Sequence, residues 1–104
     1  MDIGVEQLRK LSEQVVGSMN AFVYVLRSER NGRYYAGSTD HLIRRYWQHA
    51  NGYDHTTKRM LPVVVEGWKE FESLAAARKA ERALKAKKSR ECIEGFLKDA
   101  QRPT

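Results

Sequence analysis

Apolar residues along this chain fall into short blocks whose spacing switches between helical and extended. Val5, Leu8, Leu11, Val15 and Val16 recur at roughly helical spacing, which predicts a short amphipathic helix over residues 4–16. Gly17-Ser18-Met19-Asn20 then breaks the pattern. Phe22-Val23-Tyr24-Val25-Leu26 is β-branched and aromatic and reads as a strand. Tyr34-Tyr35-Ala36-Gly37-Ser38-Thr39 reads as its partner, with a turn at Glu29-Arg30-Asn31-Gly32 between them. Asn and Gly tolerate positive φ, so Asn31-Gly32 between two apolar, aromatic runs is a strong hairpin signal.

Helical spacing returns at Leu42, Ile43, Tyr46 and Trp47, which should face the sheet. Thr39-Asp40 offers side-chain oxygens to cap that helix, and Asn51-Gly52 ends it. The polar, basic stretch over residues 53–61 reads as a loop. Pro62-Val63-Val64-Val65 starts a third strand, with proline at its edge or first position. Ser73 caps a helix through Leu74, Ala77, Ala80, Glu81 and Leu84 to about Lys87. Ser89-Arg90-Glu91 opens another, carrying Ile93, Phe96 and Leu97 inward. The expected architecture is α+β: a small three-stranded antiparallel sheet flanked by helices, with an extra N-terminal helix.

Strand parity sorts the tyrosines. Residues of equal parity share a face, so the hairpin can bring Tyr24 and Tyr35 to one surface, whereas Tyr34 faces the other way as a structural residue or surface contact. The following helix places Arg45 and His49 on one face at i and i+4, with Arg44 turned about 100° away. Phenols, a guanidinium and an imidazole together are groups able to position and cleave a phosphodiester. A phenol titrates near 10, and neighbouring cations favour the phenolate that takes a proton from an attacking water. Arginine holds phosphate oxygens in a planar fork. Taken alone, each has a plainer reading: a strand tyrosine with its ring in the core, a solvated arginine, a histidine that caps or packs.

Charge sharpens the picture. The 104 residues carry a net charge of +6, which suits a nucleic-acid partner, with a basic ribosomal or membrane-surface protein as the competitor. No apolar run approaches the roughly 20 residues of a membrane span. Met1-Asp2-Ile3-Gly4 lacks the basic-then-apolar start of a secretory signal, so a cytoplasmic location is expected. Cys92 is the single cysteine and sits in a helical stretch near Ile93 and Phe96, as a packed thiol; no intrachain disulfide or cysteine-based zinc site is open to it.

The order of these residues resembles the GIY-YIG nuclease family. Phe22-Val23-Tyr24 stands where the family has Gly-Ile-Tyr, and Tyr35-Ala36-Gly37 where it has Tyr-Ile-Gly. Gly37-Ser38-Thr39 precedes Leu42, Arg45 and His49 in the family order. Thr56-Thr57-Lys58 and Pro62 fit the loop and third strand of the compact bacterial branch, and Ala77, Glu81, Leu84 and Lys85 fit the helix carrying the family's metal-binding glutamate. The resemblance runs from about Ala21 to Ile93. It implies the same fold, with residues 21–100 as the nuclease-like domain and residues 1–20 as a helical extension outside its core.

The resemblance also implies an activity: an endonuclease hydrolysing DNA phosphodiester bonds with one divalent cation, Mg²⁺ or Mn²⁺. It makes Tyr24 the proposed general base, Tyr35 an orienting group for water or phosphate, and Arg45 a phosphate clamp. His49 orients Tyr24 or donates to a phosphate or leaving oxygen, and Glu81 holds the metal. Read without it, Glu81 is a helix-surface carboxylate paired with Lys85; Glu66 and Glu70 are the alternative ligands if the match along this helix is out of register. Arg27, His55, Thr57, Lys58, Arg59 and Lys85 are expected to contact nucleic acid. The run Arg78, Lys79, Arg82, Lys85, Lys87, Lys88 and Arg90 is either a solvated face or part of the nucleic-acid path. Trp47 and Trp68 suit base stacking or, better, the core. The other functional readings are a non-catalytic DNA-binding domain that kept the fold, and a basic RNA-binding protein. Single-stranded, hairpin, branched and duplex DNA all stay open as substrates.

Overall fold

The computed structural model describes residues 3–15, 20–87 and 89–103. Its elements are α1 (Ile3–Gln14), β1 (Ala21–Ser28), β2 (Tyr34–Thr39), α2 (Leu42–Ala50), α3 (His55–Lys58), β3 (Val63–Phe71), α4 (Leu74–Ala86) and α5 (Arg90–Asp99). The expected break at Gly17-Ser18-Met19, the inward placement of Val16 and the place of Lys88 in the basic run fall outside the described residues. So does the side chain of Val5.

The sheet is three-stranded and antiparallel, in the order β2-β1-β3. β1 is the central strand, which explains its uninterrupted apolar run: both of its faces are covered. Phe22, Tyr24 and Leu26 pack with Leu11, Leu42, Tyr46 and Trp68 on one side. Val23 and Val25 pack towards Ala77, Leu84, Phe96 and Leu97 on the other. α1 belongs to the first of these clusters. Its Leu11 is fully buried there, a contribution of about 2 kcal/mol, and Gln7 exchanges two hydrogen bonds with the Val65 backbone. α1 is therefore built into the core beside the tyrosines, whereas the sequence suggested a helix outside it.

The hairpin turn is longer than a two-residue loop. Ser28 N–H donates to Arg33 O, and the Ser28 Oγ accepts from the amides of Arg30 and Asn31. Gly32 takes the positive φ of +75° that the Asn-Gly pair promised. The register pairs Tyr24 with Gly37 and Leu26 with Tyr35, so Tyr24 and Tyr35 do share a face. On the other edge, Val25 pairs with Gly67 but Leu26 with Val65. Glu66 is thus the extra residue of a β-bulge.

Several local expectations are corrected. The N-cap of α2 is His41, whose Nδ1 accepts from the Arg44 amide, while Thr39 Oγ1 instead accepts from the His41 amide. Trp47 does not face the sheet; it is 44% exposed. Residues 53–61 are not all loop, because Asp54 caps the short helix α3. Ser73 and Ser89 cap α4 and α5 as read from the sequence. Trp68 is buried, and Cys92 is a half-buried free thiol. No helix among the described residues is long and apolar enough to cross a membrane.

Candidate active site

Tyr24 starts the site because the central strand drives its ring into the core. Only 1% of it is exposed. The ring lies over its cross-strand partner Gly37. A β-carbon on Gly37 would stand 2.4 Å from the Tyr24 hydroxyl oxygen and 2.6 Å from Cζ. Those distances are far inside van der Waals contact, so the glycine of Tyr35-Ala36-Gly37 is the residue that lets the phenol lie where it does.

α2 then supplies His49. It is fully buried, and both ring nitrogens are engaged. Nε2 lies 2.7 Å from the Tyr24 hydroxyl and Nδ1 lies 2.7 Å from Thr57 Oγ1. Asp54, the cap of α3, accepts from the Thr57 amide at 3.0 Å and from the Thr57 hydroxyl at 3.4 Å, both through Oδ1. Its other oxygen accepts from the Arg45 guanidinium at 2.7 Å, and Arg45 also donates to Gln48 Oε1 at 3.0 Å.

The direction of these bonds follows from the carboxylate, which can only accept. With the Thr57 hydroxyl proton on Asp54, Thr57 Oγ1 accepts from His49 Nδ1–H. His49 Nε2 is then left as a bare lone pair, accepting the Tyr24 O–H. Burial, with the Arg45 charge beside it, pushes the imidazole down to about 4 against the pull of Asp54. His49 is therefore neutral at pH 7. Burial also raises the Tyr24 phenol, with Tyr35 adding to the rise, and the opposing pull of Arg45 is smaller. This corrects the expectation that nearby cations would leave a phenolate at Tyr24. Burial tends to raise the Asp54 pKa too, but the Thr57 amide, His49 and Arg45 outweigh it and hold the carboxylate below its usual range.

Tyr35 is half-buried, with its ring edge-on to His49 at 5.2 Å between centroids. β2 is the sheet edge, so α4 reaches round it: Lys85 Nζ lies 5.0 Å over the Tyr35 ring and 2.8 Å from Glu81 Oε2. The other Glu81 oxygen accepts from the Ser38 hydroxyl. Burial would raise the Glu81 carboxyl, but the bonds from Lys85 and Ser38 prevail and keep it low. A groove of about 370 Å³ opens next to this pair, lined among others by Tyr34, Tyr35, Lys85 and Arg90, with the Arg90 guanidinium over the Tyr34 ring at 4.7 Å.

Of the five residues expected to be catalytic, Tyr24, Tyr35, Arg45 and His49 gather on one side of the sheet, around His49 and Asp54. Glu81 is bonded to Ser38, which has the parity of Val23, and meets Tyr35 only through Lys85. The structure treats the expected nucleic-acid contacts unevenly. His55, Lys58 and Arg59 are exposed on and after α3, and Lys85 is exposed on α4. Thr57 is not a contact surface: it is fully buried and bonded to His49 and Asp54. Arg27 has the parity of Val23 and Val25, not of Tyr24, and it is bound to the bulged Glu66. His49 has no free nitrogen for a phosphate, so of its expected roles the orienting of Tyr24 is the one its bonds allow. Asp54 was missed. The signal for it was an Asp three residues before Thr57, the spacing of a helix cap. Among the described residues, no cluster of three or more histidines, cysteines or carboxylates marks a metal site. A single ionised, partly exposed carboxylate at Glu81 still fits a hard cation that keeps most of its waters.

The buried histidine has a consequence for stability. It titrates near 4 in the fold and near 6.5 in the unfolded chain, so between those values the unfolded chain binds the extra proton. Stability therefore rises with pH across that window and is lost on acidification through it. The gap corresponds to about 3 kcal/mol. Urea midpoints between pH 6.5 and 4 should fall steeply for the natural protein, and this limb should flatten in His49→Gln. An unchanged limb in the variant would assign the acid sensitivity to the depressed carboxylates Asp54 and Glu81 alone.

Comparison with curated proteins and with solved structures finds no match to this chain. The sequence profile of the GIY-YIG catalytic domain, by contrast, matches residues 20–94. That span holds β1 to β3, α4 and every residue of the Tyr24–His49–Thr57–Asp54–Arg45 line together with Glu81. The chain belongs to the GIY-YIG catalytic domain family, a nuclease fold.

Proposed function

We propose that this protein is an endonuclease that hydrolyses DNA phosphodiester bonds with the help of one Mg²⁺ or Mn²⁺ ion. Residues 21–100 form the catalytic unit, residues 1–20 are its N-terminal extension, whose helix α1 packs into the same core, and the setting is the cytoplasm. The observation that carries the reading is the hydrogen-bonded line from Tyr24 through His49, Thr57 and Asp54 to Arg45. A packing tyrosine needs one partner for its hydroxyl. It does not need a neutral imidazole whose far side is oriented by a threonine and a carboxylate.

The proton path follows from that line. A water attacking phosphorus gives its proton to the Tyr24 oxygen as the Tyr24 proton passes to His49 Nε2. The imidazolium that forms is stabilised through Thr57 by Asp54. A relay of this kind avoids a standing phenolate, which burial disfavours. The substrate phosphate competes with Asp54 for the planar fork of Arg45, which neutralises charge developing on the equatorial oxygens. Tyr35 holds the imidazole edge-on and turns its hydroxyl to water or phosphate. Glu81 would hold the cation with one oxygen once the exposed Lys85 swings aside; the ion supplies charge neutralisation at the phosphate and leaving oxygen. Arg90 and Lys85, along the groove beside Tyr34 and Tyr35, offer partners to the strand's backbone.

One observation favours a second reading, a non-catalytic DNA-binding domain: both Glu81 oxygens are engaged by side chains of the chain itself. Incubating the protein with single-stranded, hairpin, branched and duplex DNA plus Mg²⁺ or Mn²⁺ separates the two. Cleavage of any of them supports the nuclease; binding to the panel without cleavage under either metal supports the alternative.

Binding should depend steeply on salt, because phosphate contacts release counterions. Lys58 and Arg59 are exposed beside the site. Lys58→Ala and Arg59→Ala should each weaken binding to all DNA forms and flatten the slope of log K against log salt by about 0.7 to 0.9. Slopes equal to that of the natural protein would remove this loop from the interface.

A further inference from the structure

Two large apolar side chains stand out in water among the described residues, Trp47 at 44% and Tyr53 at 72% exposed. They are not scattered. Their rings are stacked, with centroids 5.3 Å apart and planes 19° apart. The backbone holds them so. The Tyr53 amide donates to Gln48 O at 2.9 Å, Asn51 donates to Trp47 O through both its amide and its side chain, and Gly52 turns the chain at φ +77°. A stacked pair pinned this way keeps its outer faces in water at a standing cost, with no core to fill.

Cations flank the rings. Arg44 precedes Trp47 by one helical turn; its side chain is 64% exposed and held only loosely by Asp40 at 3.9 Å. On the other side, the Lys58 stem runs beside Gly52, next to Tyr53. Going round α2 at about 100° per residue, one meets Arg45, then Gln48, then Arg44, then Trp47. A polar and basic track therefore joins the proposed phosphate clamp to the aromatic pair.

We infer that Trp47 and Tyr53 form a stacking platform for an unpaired nucleobase of the substrate, with Arg44 and Lys58 on its flanking phosphates. This rests on the nucleic-acid reading above and narrows it to DNA with a single-stranded segment. A base inside a duplex has both faces covered by its neighbours, whereas an unpaired base offers a free π-face. Arg44 and Lys58 beside the pair, on a chain of net charge +6, complement the phosphates that flank such a base.

The test uses the full chain in EDTA, so that the outcome does not depend on cleavage, and a short oligothymidine as probe. Trp68 is 1% exposed, so any quenching of tryptophan emission on binding reports Trp47. Saturating oligothymidine should quench it. Trp47→Ala and Tyr53→Ala should each weaken oligothymidine binding about tenfold, the scale of one lost stacked base, and leave blunt duplex affinity nearly unchanged. An abasic strand with the same phosphates should show the same loss on the natural protein and no further loss on Trp47→Ala. Absent quenching, or equal losses on oligothymidine, duplex and abasic strand, would overturn the platform. So would a Trp47→Ala variant that changes only sedimentation while keeping its strand affinity, which would make the pair a contact between copies. A protein that quenches normally but never cleaves would sink the nuclease and leave the platform standing.

Discussion

Tyr24→Phe should lower the single-turnover cleavage rate about 100-fold or more, the usual scale for losing a positioned proton-transfer group. The ring and its packing stay, so the fold survives. Stability should still fall by about 1–3 kcal/mol, because the buried His49 Nε2 loses the hydroxyl it accepts from. Tyr34→Phe is the control. Tyr34 lies on the other sheet face under Arg90, keeps its ring in the variant, and should cut at nearly the natural rate. Gly37→Ala attacks the same hydroxyl by another route. A methyl group 2.4 Å from the Tyr24 oxygen must push the phenol off His49, so activity should fall though no polar group has been removed. If Tyr24→Phe and Tyr34→Phe both cut near the natural rate, the hairpin is scaffold and Tyr24 relays no proton.

The shared face of Tyr24 and Tyr35 was legible because strand parity needs no tertiary information. The caps at Ser73 and Ser89 were legible because a capping bond is local. Burial was harder. In the sequence, Tyr24 is a phenol with cations near it, which favours the phenolate. The central position of β1, with helices on both faces, decides the matter the other way. That position depends on β3 pairing to the far side of β1, more than 30 residues on. Thr57 failed for a related reason. In a basic, polar stretch it read as a surface contact, yet a threonine can be buried completely when its hydroxyl both accepts and donates, as it does between His49 and Asp54.

The exposure of Trp47 is legible from helix geometry. Leu42, Tyr46 and His49 fall within about 60° of one another around α2, and Trp47 lies well outside that arc. Trp47 lies about 100° beyond Tyr46, past the far edge of that arc, and is 44% exposed. Asp54, by contrast, was hidden. Its capping bond was readable, but its tie to Arg45 exists only because Gly52 folds α3 back beside α2.

Glu81→Ala should abolish cleavage while leaving the fold almost untouched. The side chain is 19% exposed and pairs with a Lys85 that is 47% exposed. Removing such a pair costs about 1 kcal/mol or less, with the Ser38 bond adding a similar amount. DNA affinity in EDTA should be equal or slightly higher, since a negative charge is gone and Lys85 is freed for phosphate. Glu81→Gln keeps the shape and a partner for Ser38 but loses the charge that a hard cation requires, so it should be as inactive as the alanine variant. A structural role for Glu81 would instead let Glu81→Gln keep its activity. The competition between Lys85 and the cation gives an independent readout. Mn²⁺ should raise the thermal midpoint of the natural protein, raise that of Lys85→Ala at lower metal concentration, and leave that of Glu81→Ala unmoved. A Glu81→Ala protein that cuts at the natural rate, or whose midpoint still rises with Mn²⁺ as the natural one does, removes Glu81 from the metal site.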